Sequence, residues 1–237
     1  MDLSILLPAY NEGANIRNLV EEVKKVADGL NVEHEIIVAD GQSKDDTVEE
    51  ARKAGAQVFV RSVAEFGAAL REGFPRCKGD YIIMLDTDFS HPPKYIRDLW
   101  EHRNDADVIV CSRYVEGGGG EMTTFRKNLS RFFNETYKIM LGISATDLNC
   151  SYRLYHREVV EKIKLEGKES EVYPELLCKA ILSAYTVKDI PFHYELRRAG
   201  KSTLKFFKYG WLYGKLLLRL MVFNAKAKRP ALQESAR

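Results

Sequence analysis

An α/β fold, with a mainly parallel sheet flanked by helices, is predicted by the alternation of strand-like and helix-like segments along the chain. The chain has 237 residues, 45% of them hydrophobic, which is enough for a packed core. No interior segment is long or polar enough to act as a linker. We therefore predict one domain over residues 1–202 and a C-terminal basic amphipathic helix and tail over residues 203–237.

Each predicted strand is a short apolar run, and each predicted helix has apolar residues at three- and four-residue spacing. The helix over residues 13–27, for example, places Ile16, Leu19 and Val23 on one face. Residues 117–120 are four glycines, a loop that is not rigid by itself. We predict strands at 3–8, 35–39, 57–60, 81–85, 107–111 and 149–155, and helices at 13–27, 46–54, 68–74, 125–140 and 173–184.

Charge and cysteine content disfavour several classes of protein. The 36 basic and 34 acidic residues nearly cancel, so the overall charge does not indicate nucleic-acid binding. The four cysteines are far apart and form no Cys-x-x-Cys pair, which disfavours a zinc site or a disulfide framework. We expect buried, reduced thiols in a cytoplasmic protein. They are Cys77, Cys111, Cys150 and Cys178.

Two carboxylates one residue apart, Asp86 and Asp88, follow the predicted strand 81–85. Ligands of open α/β sheets bind at the carboxyl ends of the strands, so we expect these side chains to line a cleft. Their oxygens suit Mg²⁺ or Mn²⁺. The alternative is loop solvation or capping of a helix near Pro92. Because 30% of the residues are charged, the motif alone is weak.

Polar groups also follow the first two predicted strands. Tyr10 can pack beside a flat base, Asp40 can accept a base N–H, and Glu12 can reach a ribose hydroxyl. A turn-forming role for Asp40 and Ser43 is the alternative. Three neighbouring parallel strands with polar ends nevertheless form a cleft, and a nucleotide diphosphate with a bridging metal ion fits it.

Five segments in this order resemble the dolichol-phosphate mannosyltransferase group of family-two glycosyltransferases. They are residues 7–12 (LPAYNE), 36–47, 79–93, 112–114 (SRY) and 126–130 (RKNLS), within a resemblance that extends from about residue 3 to 204. It implies a GT-A fold, a nucleotide-sugar donor, Mg²⁺ or Mn²⁺ at Asp86 and Asp88, and a polyprenyl-phosphate acceptor. The donor-binding residues that it implies are Pro8, Ala9, Tyr10, Glu12, Asp40, Asp86, Thr87, Asp88 and Arg197.

The sequence departs from this pattern in three places. Gly41 stands where the family has a second acid, which leaves the nucleotide base open between guanine and uracil. Ser90 stands where many members have Gln. The family's Arg-x-x-Gly-x-Ser-Lys motif ends here in Thr203, and Lys201 or Lys205 are candidates to supply the charge.

A phosphate acceptor is largely dianionic near neutral pH, since its second pKa is about 6. It needs cations to position it rather than a general base. Arg113 and Arg126 flank the glycine loop, and Ser130 is a further donor. Arg113 is the strongest candidate because it directly follows a strand, whereas Lys127 is expected to face solvent.

Asp147 resembles a family aspartate that faces the reaction centre. It is a candidate to orient the sugar or to act as a base, and the alternative is that it starts a turn. With Asp88 and Arg113 it completes our predicted catalytic set. Two nearby residues are predicted to be structural, Glu175 on a helix surface and Tyr152 in the core.

Together with the resemblance, these residues imply inverting, metal-dependent transfer of one hexose, mannose favoured, from a nucleotide diphosphate sugar to a polyprenyl phosphate. GDP-mannose is the favoured donor. Alternatives are a UDP-sugar enzyme with a different acceptor and a catalytically silent sugar-nucleotide binding scaffold. A processive synthase is disfavoured because Gln-x-x-Arg-Trp is absent, and a nucleotidyltransferase because no glycine-rich basic loop follows the first strand.

The C-terminal segment predicts a helix in the membrane interface, on the cytoplasmic face. Charges interrupt it too often for the ~20 apolar residues that a span needs. At about 100° per residue its basic side chains fall within roughly 80° of one another, which suits anionic headgroups. Packing on the domain, on a second subunit or on a membrane-protein partner is the alternative. The basic residues are Lys205, Lys208, Lys215, Arg219 and Lys226.

Overall fold

The computed structural model of the chain describes residues 1–196 and 206–234, with side chains over 1–196 and 210–225. The strands in these ranges are β1 (Leu3–Ala9), β2 (His34–Asp40), β3 (Gln57–Val60), β4 (Tyr81–Met84), β5 (Val108–Ser112), β6 (Gly119–Gly120), β7 (Arg153–His156), β8 (Val187–Pro191) and β9 (His193–Tyr194). The helices are α1 (Gly13–Asp28), α2 (Thr47–Lys53), α3 (Ala68–Gly73), α4 (Tyr95–Glu101), α5 (Thr124–Leu141), α6 (Arg157–Lys162), α7 (Val172–Leu182) and α8 (Phe206–Glu234).

The central sheet of the described residues has seven strands in the order β3-β2-β1-β4-β7-β5-β8. Strand β7 runs antiparallel to β4 and β5, and the other neighbours pair in parallel. The predicted mainly parallel α/β sheet is therefore confirmed. The predicted strand over residues 149–155 begins only at Arg153, because the Cys150 N–H is bonded to the Asp147 carboxylate instead (3.1 Å).

Apolar side chains cover both faces of this sheet. One core contains the buried face of α1, including Ile16 and Leu19, together with residues of α4. The other contains residues of α3, α5, α6, α7 and α8. The four cysteines are free and buried, as predicted, and burial raises the pKa of Cys77 and of Cys150 to about 12. Such thiols are structural rather than reactive.

Strand β1 lies between β2 and β4, so the order of strands reverses there and the carboxyl ends of all three strands meet at one edge. The loops that follow β1 and β2 are joined directly. The Asn11 N–H donates to Ser43 Oγ (2.8 Å), and the Lys44 N–H donates to Asn11 Oδ1 (2.9 Å). The loop after β4 is joined to β1 because Thr87 Oγ1 donates to the Pro8 carbonyl (3.1 Å).

The glycine loop is held against the segment that follows β8. Gly119 and Gly120 form β6 and pair with β9. A Cβ atom on Gly120 would lie 2.5 Å from the Tyr194 Cβ, and Gly120 has φ +146°. Only glycine allows this close approach.

Helix α8 packs on the domain through Leu216 and Leu220, both buried against the core that includes α5 and α7. The Tyr137 hydroxyl donates to the Tyr213 carbonyl (2.6 Å), and Asn224 Nδ2 donates to the Leu141 carbonyl (3.1 Å). The predicted alternative of packing on the domain is thus observed.

The opposite face of α8 is apolar and exposed: Trp211, Leu218 and Val222 are 70%, 65% and 57% accessible. Lys215 and Arg219 of the predicted basic stripe are also exposed. The side chains of Lys205, Lys208 and Lys226, and the predicted boundary at residues 202/203, lie outside the described residues. Among the helices that are described, α8 included, none is apolar over a sufficient length to cross a bilayer.

Because α8 packs on the domain, we expect alanine substitutions of two of its leucines to change the free energy of unfolding by different amounts. Leu220→Ala, which leaves a cavity, is expected to lower the free energy of unfolding by about 2–5 kcal/mol. Leu218→Ala, on the exposed face, is expected to change it by no more than about 0.5 kcal/mol. Urea unfolding of both variants measures this, and two equal small effects would show that α8 does not pack on the domain in solution.

Candidate active site

Asp86 and Asp88 lie where the chain leaves β4, next to the carboxyl end of β1. Asp86 Oδ1 accepts a hydrogen bond from the Tyr173 hydroxyl (3.1 Å), and Asp88 Oδ1 accepts from the N–H (3.0 Å) and hydroxyl (2.5 Å) of Ser90. Phe89, between Asp88 and Ser90, has φ +64°, which turns the chain back sharply. Helix α4 begins only at Tyr95, so neither carboxylate caps it.

His91 is buried beside these carboxylates and was not predicted as a site residue. Its Nδ1 accepts the Asp86 N–H (3.0 Å), and its ring stacks on Tyr152 with centroids 5.1 Å apart. Burial lowers the pKa of His91, which the charges of both Asp86 and Asp88 oppose. Because the neutral ring of His91 accepts the Asp86 N–H, it orients the backbone at Asp86. Tyr152 is fully buried, as predicted.

Arg113 and Asp147, 34 residues apart in the sequence, form a buried ion pair. Arg113 Nε donates to Asp147 Oδ2 (2.7 Å), and Arg113 Nη2 donates to Asp147 Oδ1 (2.8 Å). Burial would raise the pKa of Asp147, but Arg113 outweighs it and the pKa is lowered. Burial likewise opposes the charge of Arg113, whose pKa Asp147 raises.

Both oxygens of Asp147 are engaged by Arg113, and the carboxylate is fully buried. This geometry favours a role in fixing the guanidinium of Arg113 rather than a role as a base, since a general base must reach the proton it accepts. The electrostatic influence of Arg113 and Asp147 extends to His91.

Arg153 connects the two charged pairs and was not predicted. Its Nη2 donates to the Leu148 carbonyl (2.7 Å) and its Nη1 to the Tyr173 carbonyl (2.8 Å). The first bond supports the loop that carries Asp147, and the second supports the tyrosine that contacts Asp86. Arg153 is fully buried within a strand, where the sequence alone indicates only an apolar run with one charge.

The loop that carries Asp147 is held from two more sides. Asn134 of α5 donates to the Thr146 carbonyl (2.9 Å). Asp189 of β8 accepts the Thr146 N–H (3.1 Å) and hydroxyl (2.7 Å). Burial raises the pKa of Asp189, which those two hydrogen bonds oppose. The position of Asp147 therefore depends on elements far apart in the sequence.

On the donor side, Asp40 is almost fully buried at the end of β2. Its Oδ2 accepts the Ser43 N–H (2.9 Å), as the turn-forming alternative predicted, while its Oδ1 is buried without a partner among the described residues. Tyr10 is 52% exposed, as a ring that packs on a base must be. Glu12 is half-buried at the start of α1 and accepts from Asn15 Nδ2 (2.8 Å).

Gly41, where the family has a second acid, adjoins the buried guanidinium of Arg61. A Cβ atom on Gly41 would lie 1.8 Å from Arg61 Nη2, so no other residue fits without moving that group. Arg61 Nη2 and Nη1 donate to the Ala9 (3.3 Å) and Glu65 (2.9 Å) carbonyls. Arginine therefore fills the space next to Asp40. Pro8, Ala9 and Thr87 are buried, and their role in donor binding stays a prediction.

On the predicted acceptor side, α5 begins beside Arg113. The Arg113 Nη1 group contacts Met122 Sδ (3.2 Å), two residues before the helix, and the Arg131 guanidinium lies over the Tyr114 ring (5.5 Å). Arg126 is exposed in the first turn and Ser130 is half-buried one turn later. Their role stays a prediction, as does that of Arg197, which lies outside the described residues.

One prediction about this region is wrong. Glu175 is not on a helix surface but fully buried. It accepts the N–H groups of Glu166 (3.1 Å) and Gly167 (2.7 Å) and pairs with Lys179 (2.7 Å). It thereby fixes the segment before α7, the helix that carries Tyr173.

The donor set at Asp86 and Asp88 suits a divalent metal ion. No group of three or more His, Cys, Asp or Glu side chains that could hold a metal occurs in the described residues. Mg²⁺ in nucleotide sites is bound through one or two carboxylates, with substrate phosphates and water completing the shell. Two neighbouring carboxylates therefore fit a metal ion that arrives with a diphosphate.

The sheet order, with the carboxylate pair where it reverses, defines a GT-A glycosyltransferase fold. Residues 4–164 match Glycosyl transferase family 2, and the chain belongs to this family. The predicted family, fold and enzyme class are confirmed.

Three relatives are similar over most of the chain. The dolichol-phosphate mannosyltransferase of Pyrococcus furiosus is 32% identical over 97% of this chain and 66% of its own length. An undecaprenyl-phosphate 4-deoxy-4-formamido-L-arabinose transferase of Pseudomonas fluorescens is 29% identical over 84% of this chain and 59% of its own length. A low-salt glycan biosynthesis hexosyltransferase of Haloferax volcanii is 30% identical over 94% of this chain and 54% of its own length. The chain thus spans between half and two thirds of these relatives.

A solved structure, the glucosyl-3-phosphoglycerate synthase of Mycobacterium tuberculosis with Mn²⁺, UDP and glucosyl-3-phosphoglycerate, shares the fold. The TM-score is 0.72 at 19% identity, over 94% of this chain and 79% of that one. A complex of the same enzyme with Mg²⁺ and UDP has a TM-score of 0.71, also at 19% identity, over 94% and 79%.

The Tyr173–Asp86 hydrogen bond predicts an effect on metal affinity. Asp88→Asn is expected to abolish Mn²⁺ binding in the presence of a nucleoside diphosphate. Tyr173→Phe is expected to weaken it by roughly 2- to 12-fold, because one hydrogen bond is worth about 0.5–1.5 kcal/mol. Electron paramagnetic resonance of free Mn²⁺ measures both.

The matched control is Tyr81→Phe, which loses one hydrogen bond, to Asn104 (2.7 Å), at the other end of β4. It is expected to leave Mn²⁺ affinity unchanged. If the two tyrosine variants weaken binding equally, Tyr173 does not position Asp86.

Proposed function

We propose that the chain transfers one hexose, with mannose favoured, from a nucleotide diphosphate sugar to a polyprenyl phosphate. The observation that carries the proposal is that Arg153 links the two charged pairs: it bonds to the loop that carries Asp147 and to Tyr173, whose hydroxyl contacts Asp86. Family membership supports the reaction class, and two of the relatives are named for polyprenyl-phosphate acceptors. Those relatives also support a lipid phosphate acceptor here.

The proposed reaction needs no proton transfer. An oxygen of the dianionic acceptor phosphate attacks the anomeric carbon from the side opposite the diphosphate, and the bond from that carbon to the diphosphate oxygen breaks. The configuration inverts, and the nucleoside diphosphate leaves with the electron pair. Asp86 and Asp88 would hold Mg²⁺ or Mn²⁺, which supplies positive charge to the leaving diphosphate.

In this proposal Arg113 positions the acceptor phosphate, and Asp147 positions Arg113. Arg113 retains 10% side-chain exposure while its Nε and Nη2 are bonded to Asp147. Nη1 contacts only the weak acceptor Met122 Sδ (3.2 Å) among the described residues, and a fixed guanidinium binds phosphate with less loss of freedom than a mobile one. Arg126 and Ser130 would add a cation and a hydroxyl donor from α5, and Arg197 would bind the leaving diphosphate.

We favour GDP-mannose as the donor, with a UDP-sugar and another acceptor as the second candidate. Asp40 Oδ1, buried without a partner among the described residues, would accept the ring N–H that guanine and uracil both present. Gly41 and Arg61 give this corner a cation where the family has an acid. This replacement of an acid by a nearby cation is the specific reason to keep a UDP-sugar, with another acceptor, as the second candidate.

A transfer assay tests the function and its division of roles. With Mn²⁺, GDP-[¹⁴C]mannose and farnesyl phosphate, the wild-type chain is expected to form labelled lipid, and UDP-glucose in parallel tests the second candidate. Arg126→Ala is expected to raise the KM for farnesyl phosphate by roughly 10- to 150-fold, since a hydrogen bond to a charged group is worth about 1.5–3 kcal/mol. Its KM for the donor should not change.

Lys127→Ala is the matched control, with one cation removed one residue further along and no expected change in either KM. Arg126 serves better than Arg113, whose removal would leave the buried Asp147 charge unpaired and destabilise the fold. No turnover with any nucleotide sugar would favour the silent scaffold, and equal KM changes for donor and acceptor would remove Arg126 from the acceptor side.

We further propose that the exposed face of α8 lies in the membrane interface on the cytoplasmic side. The full chain should float with anionic vesicles and be released by salt, because Lys215 and Arg219 flank this face. Trp211→Glu with Leu218→Glu should prevent flotation, while Val60→Glu, at an apolar position on β3 that is 52% exposed, should not. Unchanged flotation of the α8 variant would refute this placement and favour a membrane-protein partner or a second subunit.

A further inference from the structure

A groove of about 620 Å³ lies between α8 and the segment from the end of α6 to α7, on the face of the sheet opposite α1. Its volume is in the range of small-molecule sites, about 300–1,000 Å³. Ile163, Leu216, Leu220 and Phe223 supply an apolar lining, of which the first three are buried. The exposed Leu218 and Val222 continue this lining on α8 to the surface.

The cations of the groove differ in whether they are paired. Lys179 is bonded to Glu175 (2.7 Å) and lies near Glu166 (3.5 Å), so its charge is neutralised within the groove. Lys162 pairs with Glu158 of its own helix. Lys164 and Arg219 form no ion pair within residues 1–196 and 210–225, and both are exposed. One lies on the segment after α6 and the other on α8.

This groove is separate from the sugar-transfer site. Tyr173, in the first turn of α7, contacts Asp86, whereas Lys179 and Ser183 line the groove at the other end of that helix. The lining of the groove begins on α7 at Glu175, two residues after Tyr173, and it includes neither Asp86 and Asp88 nor Arg113 and Asp147. A molecule in the groove would therefore bind whether or not the chain transfers sugar.

We propose that the groove binds one anionic phospholipid. Its acyl chain would lie against Ile163 and Phe223, and its phosphate would lie between Lys164 and Arg219. The apolar lining excludes a free phosphate ion as the preferred ligand. Two cations on separate walls, neither of them in an ion pair with another described residue, favour an anionic headgroup over a zwitterionic one. Continuity with the exposed face of α8 places the groove opening where a lipid from an adjacent membrane can enter.

Short-chain lipids below their micellar concentration test this, because they report on a site rather than on adsorption to a bilayer. Dihexanoyl phosphatidylglycerol is expected to bind the full chain in isothermal titration calorimetry at least tenfold more tightly than dihexanoyl phosphatidylcholine. Glycerophosphoglycerol, the same headgroup without chains, should show no binding. Equal affinity for both lipids, or equal binding of the chainless headgroup, would overturn the proposal.

Reversing the charge of the two groove cations tests whether the lipid phosphate binds between them. Lys164→Glu with Arg219→Glu is expected to weaken phosphatidylglycerol binding at least tenfold and to leave the KM for farnesyl phosphate unchanged. Lys25→Glu, an exposed lysine of α1 on the other face of the sheet, is the matched control and should change neither. Thermal unfolding checks that all variants are folded. If the double variant and the control bind phosphatidylglycerol equally, the groove does not bind the headgroup.

Discussion

The buried ion pair between Arg113 and Asp147 is the interaction on which the rest of the site depends. Removing two charges from water costs several kcal/mol per ion, and the mutual attraction offsets this only when the geometry is close and the other polar atoms are satisfied. Here the guanidinium makes two bonds to the carboxylate, and the Cys150 N–H adds a third. The surrounding loop must hold Asp147 in place, which is why so many buried polar groups converge on it.

Those polar groups come from across the fold. Asn134, Asp189 and Arg153 lie on α5, β8 and β7, and each bonds to the loop that carries Asp147. Arg153 also bonds to Tyr173, whose hydroxyl contacts Asp86. A single hydrogen-bonded network therefore joins the carboxylate that would hold a metal ion to the arginine that would hold a phosphate. Such preorganisation lets charge develop in a transition state without rearrangement of the protein.

The other half of the molecule is organised around α8. One face of this helix is buried with Leu216 and Leu220, and the opposite face is apolar yet exposed through Trp211 and Leu218. A helix that is apolar on both sides must have a second apolar neighbour or lie at a membrane surface. The proposed interfacial face and the proposed lipid groove would both use this arrangement, and Leu218 belongs to both.

The sequence by itself determined the alternation of strands and helices from β1 to β4 and the polar groups at the ends of β1, β2 and β4, because both follow from local periodicity and from the rule that parallel strands share a carboxyl edge. It also indicated Arg113 and Asp147 as separate candidates. It did not indicate the short elements α4, α6 and β8. Only the tertiary structure decided that these two residues pair, that Tyr173 contacts Asp86 across 87 residues, and that Glu175 is buried rather than exposed. It likewise decided which face of α8 packs on the domain, since that helix is apolar on more than one side. Contacts between distant residues depend on how the elements pack across the sheet, and no local spacing in the chain records that packing.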